Sequence, residues 1–289
     1  MLAGVAAATL GMASVQTGAA IAISLFDQVG ALAVVALRLA SAAAFLIITS
    51  RPALLRLSRS EALTFAAYGL IIAAMNVFFY SALERVPLGV AVALEMVGPI
   101  AVATLGSRRP RDLAVVGLAA VGVLVLALAP GVDGHITALG IGFALAAGAC
   151  WAGYILLSAH AVRTLPGAQG LAVAMCVATV PMAFVAVGSA GEKLLDVRVL
   201  ALGAAVGLLS TGVPGMLDAA SLRRLRAATY ALVVSVAPAV GALAGFLFQD
   251  QRLSGAQWLG IVVVVAASAA AVAGAEPPDA TPVDPRARE

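Results

Sequence analysis

The chain has 289 residues, of which 63% are hydrophobic and only 11% charged, and its mean hydropathy is +1.08. Soluble domains carry about 25% charged residues, and a single core could not hide this much apolar surface from water, so the composition points to lipid as the solvent. The formal net charge of +3 is spread over short loops rather than gathered in a patch, which argues against a nucleic-acid partner.

A membrane-crossing helix needs about 20 mostly apolar residues. Ten candidates follow one another along the chain: Ala3–Leu25, Val29–Thr49, Ala62–Leu83, Leu88–Leu105, Leu113–Ala129, Ala138–Ser158, Gly170–Gly188, Val199–Leu217, Ala228–Phe248 and Gln257–Gly274. The first begins almost at Met1, lacks a basic leader and is longer than a signal-peptide core, so it reads as a membrane helix. The expected fold class is an all-α membrane protein with ten transmembrane helices. Residues 275–289 are Pro-rich and charged and read as a disordered cytoplasmic tail. The loops are short, so consecutive helices should be antiparallel neighbours, and none can hold a soluble catalytic domain. Cys150 and Cys176 both fall in apolar segments, which argues against a disulfide framework; they read as small helix residues.

Arginine sets the expected orientation, because loops rich in Lys and Arg stay in the cytoplasm. Loops after the even helices carry Arg51, Arg56, Arg59, Arg108, Arg109, Arg111, Arg163, Arg223, Arg224 and Arg226, and the tail adds Arg286 and Arg288. The other side carries Arg85, Lys193, Arg198 and Arg252. Both termini are therefore expected in the cytoplasm.

The two halves of the chain resemble each other. Ser81–Leu88 closes the third helix and opens the fourth, and Ser221–Arg226 stands at the same place in the second half. Leu83 matches Leu222, Arg85 matches Arg224 and Pro99 matches Pro238, all at one offset. Five helices per half is an odd number, so the second copy must lie upside down. The arginines agree: Glu84–Pro87 is neutral where its counterpart is basic, and Ser107–Asp112 is basic where Gln249–Ser254 is neutral. The expected domains are a first five-helix repeat, 1–131, and an inverted second one, 136–274. Transporters with this construction bind substrate at the repeat interface near the bilayer midplane. No GxxxxGK[ST] motif occurs, so energy must come from an ion or substrate gradient rather than ATP hydrolysis by that route.

Two charges sit inside spans, Arg38 in the second and Glu95 in the fourth. Each costs about 2.5–3.5 kcal/mol at a helix centre on the insertion scale and should face the bundle interior or a wet cavity. Arg38 is either a clamp on carbonyls, a substrate-carboxylate site or a partner of Glu95. Low dielectric favours the neutral form of a carboxyl, which makes Glu95 the candidate proton-coupling residue. Pro99 has no N–H for the Glu95 carbonyl, so that oxygen is expected to be free for an ammonium group. Pro238 does the same for Val234, and Pro214 for Ser210 beside Thr211. Further candidates for a polar and aromatic lining are Gln16, Thr17, Asn76, Tyr80, Trp151, Tyr154, Ser210, Tyr230 and Ser235, with interhelical hydrogen bonds as the competing role for each. Gly203/Gly207 and Gly241/Gly245 read as helix-packing stripes. His135 and His160 are expected in loops, with no metal site and no catalytic triad.

Met12–Gly18, Val35–Ala40, Pro87–Glu95, Gly98-Pro99, Ser107–Pro110 and Gly148–Leu156 closely resemble the threonine/homoserine exporter branch of the EamA family, in the drug/metabolite transporter superfamily. The resemblance covers nearly the whole chain and is most specific in the first half. It implies a ten-helix inverted-repeat fold in the inner membrane of a bacterium, outward transport of small amino acids in exchange for protons, and no cofactor. Gln16, Arg38, Asn76, Glu95 and Trp151 fall on matching positions. The second half departs from the family pattern: Ala237 replaces a Glu before the ninth-helix proline, Asp250-Gln251 replaces Gly-Glu, and Asp218 replaces the Glu after Ser-Thr-x-x-Pro. The residues leave open an EamA-type exporter of another metabolite or drug-like solute, such as a nucleoside, a cation or a cysteine-pathway compound. A membrane-embedded enzyme would need a cluster of nucleophile and base that is not in the sequence. A homodimer is left open.

Overall fold

A computed structural model describes residues 1–50, 58–104, 109–129, 136–164 and 169–274, apart from the side chains of 159–164 and 227–228. Arg51, Arg56, Arg108, His135 and the 275–289 tail, all used above, lie outside the described residues. Described residues in regular secondary structure are helical. In chain order the helices, leaving aside the short turns Phe26–Val29 and Gly191–Leu195, are α1 (Leu2–Ile23), α2 (Ala31–Ser50), α3 (Arg59–Leu83), α4a (Leu88–Glu95), α4b (Val97–Thr104), α5 (Pro110–Leu128), α6 (Ala138–Thr164) and α7 (Gln169–Ala190). They continue with α8a (Val197–Gly207), a π segment (Leu208–Gly212), α8b (Val213–Leu222), α9a (Ala227–Val234), α9b (Ala237–Gln249) and α10 (Gly255–Gly274). Among the described residues nine helical stretches are long and apolar enough to cross a membrane, and Leu88–Thr104 is a shorter apolar unit. His160, expected in a loop, falls within α6.

The outer surface carries many large apolar side chains. Phe184, Val187, Leu128 and Phe246 are all exposed. A contiguous apolar exterior is a poor surface for water and a good one for lipid, and the chain is a multi-pass membrane protein. The interior is built largely from alanines, valines and glycines, such as Ala33, Val34, Ala91 and Ala174. Small side chains let helices approach closely where lipid supplies no hydrophobic drive.

Packing runs mainly between the halves. α3 lies against α6 and α7, α2 against α7, α4 against α6 and α9b, and α5 against α10. α1 lies against α8b and α9b, and α2 against α8a. Exchanging the first five helices for the second five, in order, maps this set of contacts onto itself: α2–α7, α4–α9 and α5–α10 are unchanged and the others trade places. The boundaries repeat as well: α3 ends at Leu83 and α8b at Leu222, while α4a starts at Leu88 and α9a at Ala227, the same offset that relates Pro99 to Pro238.

Three interruptions bend the core, each beside a proline. α4 breaks at Met96, ahead of Pro99, and α9 breaks at Ser235–Val236, ahead of Pro238. In the eighth helix Pro214 follows the π segment, where the Val213 N–H reaches back to the Leu208 carbonyl. A proline removes one donor of the regular ladder, and a single π turn widens the helix locally, often at functional sites.

Candidate functional site

The interruptions surround a cavity of about 400 Å³ between the halves, within the range of small-molecule sites. α1 contributes Gln16, α2 Arg38, α3 Asn76 and Tyr80, and α4a Glu95 at its C-terminal end. From the second half come Trp151 and Tyr154 on α6, Ser210 and Thr211 in the π segment, Pro214 and Asp218 on α8b, and Tyr230 on α9a.

Small residues hold Arg38 in place. Gly203 and Gly207 of α8a face Leu37 and Ser41 of α2; a Cβ on Gly207 would overlap Ser41 and stand 2.7 Å from the Arg38 carbonyl oxygen. The Ser41 hydroxyl donates within its own helix to Leu37 (2.7 Å) and lies 3.2 Å from the Gly203 carbonyl. The guanidinium lies over the Tyr80 ring, 5.6 Å from its centre, and its Nε is buried without a hydrogen-bond partner. Arg38 and Glu95 are close enough to interact electrostatically, but no ion pair joins them among the described residues.

Two further wall residues present unused acceptors. Asn76 donates its amide to the Ile72 carbonyl (2.8 Å), which leaves Oδ1 without a partner. Gln16 Oε1 is likewise buried and unpartnered. Buried polar atoms are satisfied in the great majority of cases, so three orphans on residues that line one cavity are an exception that asks for a reason.

Thr17 and Ser235, two of the sequence candidates, are not on the cavity wall. Thr17 neighbours Gln16 in sequence without lining the cavity, and the Ser235 hydroxyl donates to the Leu232 carbonyl at the break in α9 (2.7 Å). Pro99 and Pro238 shape the breaks without touching the cavity, whereas Pro214 lines it. The Glu95 carbonyl, expected to be open to an ammonium group, is instead covered by α6: a Cβ on Gly148 would come within 2.7 Å of it. The reciprocal contact is tighter still, since a Cβ on Gly98 would overlap the Gly148 carbonyl.

Asp218 is the site residue that sequence reasoning passed over as a mere departure from a motif. Its carboxylate stands beside the Tyr230 hydroxyl in the same cavity. Pro214 and Asp218 are spaced i, i+4, so one face of the helix carries both; that spacing was the available signal.

With this geometry in view, comparison with known proteins is decisive. The model of the EamA-like transporter family matches residues 138–273. The threonine/homoserine exporter RhtA of Escherichia coli strain K12 is 42% identical over 89% of this chain and 87% of its own length. The chain belongs to the EamA-like transporter family. RhtA of Salmonella typhimurium strain LT2 is 41% identical over 90% of this chain and 88% of its own. A protein of known crystal structure, 19% identical, superposes on 93% of this chain and 98% of its own with a TM-score of 0.57, a likeness of fold alone. The resemblance read from Met12–Gly18, Pro87–Glu95 and Gly148–Leu156 is thus borne out, and this EamA chain places those segments on α1, α4a and α6, three walls of its cavity.

Proposed function

We propose that this chain exports small amino acids of the threonine or homoserine kind from the bacterial cytoplasm, in exchange for protons. One observation carries the reading: the three orphaned polar atoms of the cavity are complementary to a zwitterion. Gln16 Oε1 and Asn76 Oδ1 accept hydrogen bonds, as an ammonium group requires, and Arg38 donates them, as a carboxylate requires. The activity named for the RhtA relatives agrees. Trp151, Tyr154, Tyr80 and Tyr230 supply the apolar wall, and Ser210 and Thr211 can receive a substrate hydroxyl.

In this reading 1–131 and 136–274 are two inverted five-helix repeats, with Leu88–Thr104 counted as a crossing and both termini in the cytoplasm. The paired helix boundaries, the self-mapping contacts and the arginine bias support it. The cavity then lies at the repeat interface, where rocking of the halves gives alternating access. Glu95, at the break of α4 and within the field of Arg38, is the proposed proton-coupling residue. Exchange requires the proton to leave as the substrate binds: the substrate ammonium, docking within reach of Glu95, favours the ionised carboxylate and releases its proton.

The test is counterflow in proteoliposomes against an amino-acid panel, with and without a pH gradient. Threonine or homoserine should exchange, and the gradient should drive uphill movement. A lipophilic cation transported in place of every amino acid, with Arg38→Gln tolerated, would replace this reading by the drug-like alternative.

A further inference from the structure

Two carboxylates and one guanidinium share the cavity, and the carboxylates are not equivalent. Glu95 lies in the field of Arg38. Asp218 has no such partner: among the described residues no Lys or Arg nitrogen lies within 4.0 Å of it. α1, the helix packed against α8b, carries no titratable side chain, and neither does the π segment. A Cβ on Gly11 of α1 would stand 3.0 Å from Asp218 Oδ1, so the missing side chain makes room for the carboxylate. α9a offers the neutral Tyr230 hydroxyl, with Tyr154 of α6 beyond it. Arg223 and Arg224 come later on the same chain, at the exposed end of α8b; Arg224 donates to the Ala220 carbonyl (2.8 Å).

A charge in a half-buried site without a counter-charge is costly. This carboxylate must therefore hold a proton or receive a cation from outside the protein. Its place on the wall opens it to whatever the cavity contains, and its helix is the one widened by the π segment. We propose that Asp218 is a second proton-exchange site, the carboxylate that carries a proton in the empty cavity and yields it as the substrate ammonium arrives. The proton leaves to water as the ammonium docks, and one returns when the substrate departs. The two carboxylates then come from opposite halves of the chain, α4a and α8b. The inference rests on the exporter reading.

The test uses the purified full chain in liposomes and has two arms. Dicyclohexylcarbodiimide reacts with protonated carboxyls in membranes, so mass-mapped labelling reads Asp218 without reference to transport. Labelling at Asp218 should fall as pH rises and should be protected by threonine. In the transport arm Asp218→Asn should lose about tenfold or more of the gradient-driven efflux, a larger loss than in counterflow, and should flatten its pH profile. Asp218→Glu should restore both, and Tyr230→Phe should move the midpoint of the profile. Asp218 that stays unlabelled in the folded wild type at every pH, or Asp218→Asn with a wild-type pH profile, overturns the proposal. Wild-type chain that labels at Asp218 but shows no amino-acid counterflow refutes the exporter reading instead.

Discussion

The Arg38 guanidinium lies 5.6 Å from the centre of the Tyr80 ring, with its Nε free of any hydrogen bond inside the protein. The ring face holds the planar group in orientation while its donors stay available, which a carboxylate clamp would not allow. Tyr80 is itself locked, fully buried and packed edge-on against Phe79. In the proposed cycle this arrangement holds the arginine ready for the substrate carboxylate.

Replacing Arg38 should therefore damage binding and not folding. Arg38→Gln should raise the counterflow KM for threonine roughly tenfold to a hundredfold, the worth of about 1.5–3 kcal/mol in hydrogen bonds to a charge. Arg38→Lys should recover little, because an ammonium neither stacks on Tyr80 nor presents a planar fork. Concentration-dependent uptake by proteoliposomes reads both, and full rescue by lysine would show that charge alone suffices.

Glu95→Gln should abolish gradient-driven export while leaving membrane insertion intact. The amide keeps the shape of the side chain but cannot exchange a proton. Membrane yield and the pH-jump response of reconstituted protein check the two halves of this statement. A normal response would remove Glu95 from the coupling.

The crossing of α4 over α6 admits no methyl group. Gly98→Ala would drive a Cβ into the Gly148 carbonyl, a backbone group that cannot swing aside, and should cost about 1–3 kcal/mol as overpacking. Thermal unfolding in detergent should fall accordingly. Gly117→Ala, which meets nothing within 4 Å, is the control and should hold the melting temperature or raise it slightly, since alanine favours the helix interior.

Pro214→Ala should separate stability from transport. It restores the N–H that the Ser210 carbonyl lacks, which favours regular helix over the π segment. The melting temperature should hold or rise, and transport should drop as Ser210 and Thr211 rotate away from the cavity. Unchanged transport would mean that the widened turn has no part in the cycle.

Single cysteines at Arg108 and Arg223, with Cys150 and Cys176 replaced by alanine, test the inverted arrangement. Both should label from the cytoplasmic face with an impermeant thiol reagent. Labelling from opposite faces would dismantle the two-repeat scheme.

Much of the architecture was legible in the chain. Long apolar runs marked the spans, and the proline positions marked the interruptions of the fourth, eighth and ninth helices. The site was legible only in part. Gln16, Arg38, Asn76, Tyr80, Glu95, Trp151, Tyr154, Ser210 and Tyr230 do converge on one cavity, because polar groups that deep in a lipid-facing protein have few other places to go. Thr17 and Ser235 do not, since a hydroxyl can satisfy itself on a nearby carbonyl, as Ser235 does on Leu232. Asp218 lies just past the end of its predicted span, and the π turn that precedes its helix is packed against α1 and α2.

What the sequence determined by itself was the solvent and the apolar segments, because hydropathy acts locally; proline alone did not fix the breaks, since Pro181 lies inside the unbroken α7. The rotation of each helix about its axis was decided only by tertiary packing. In α1 apolar residues surround the helix almost evenly, so no stripe tells Gln16 from Thr17. Packing supplies the distinction: Gly18 of the same helix lies against Ser210, where a Cβ would stand 2.5 Å from the hydroxyl, and Gly11 lies against Asp218.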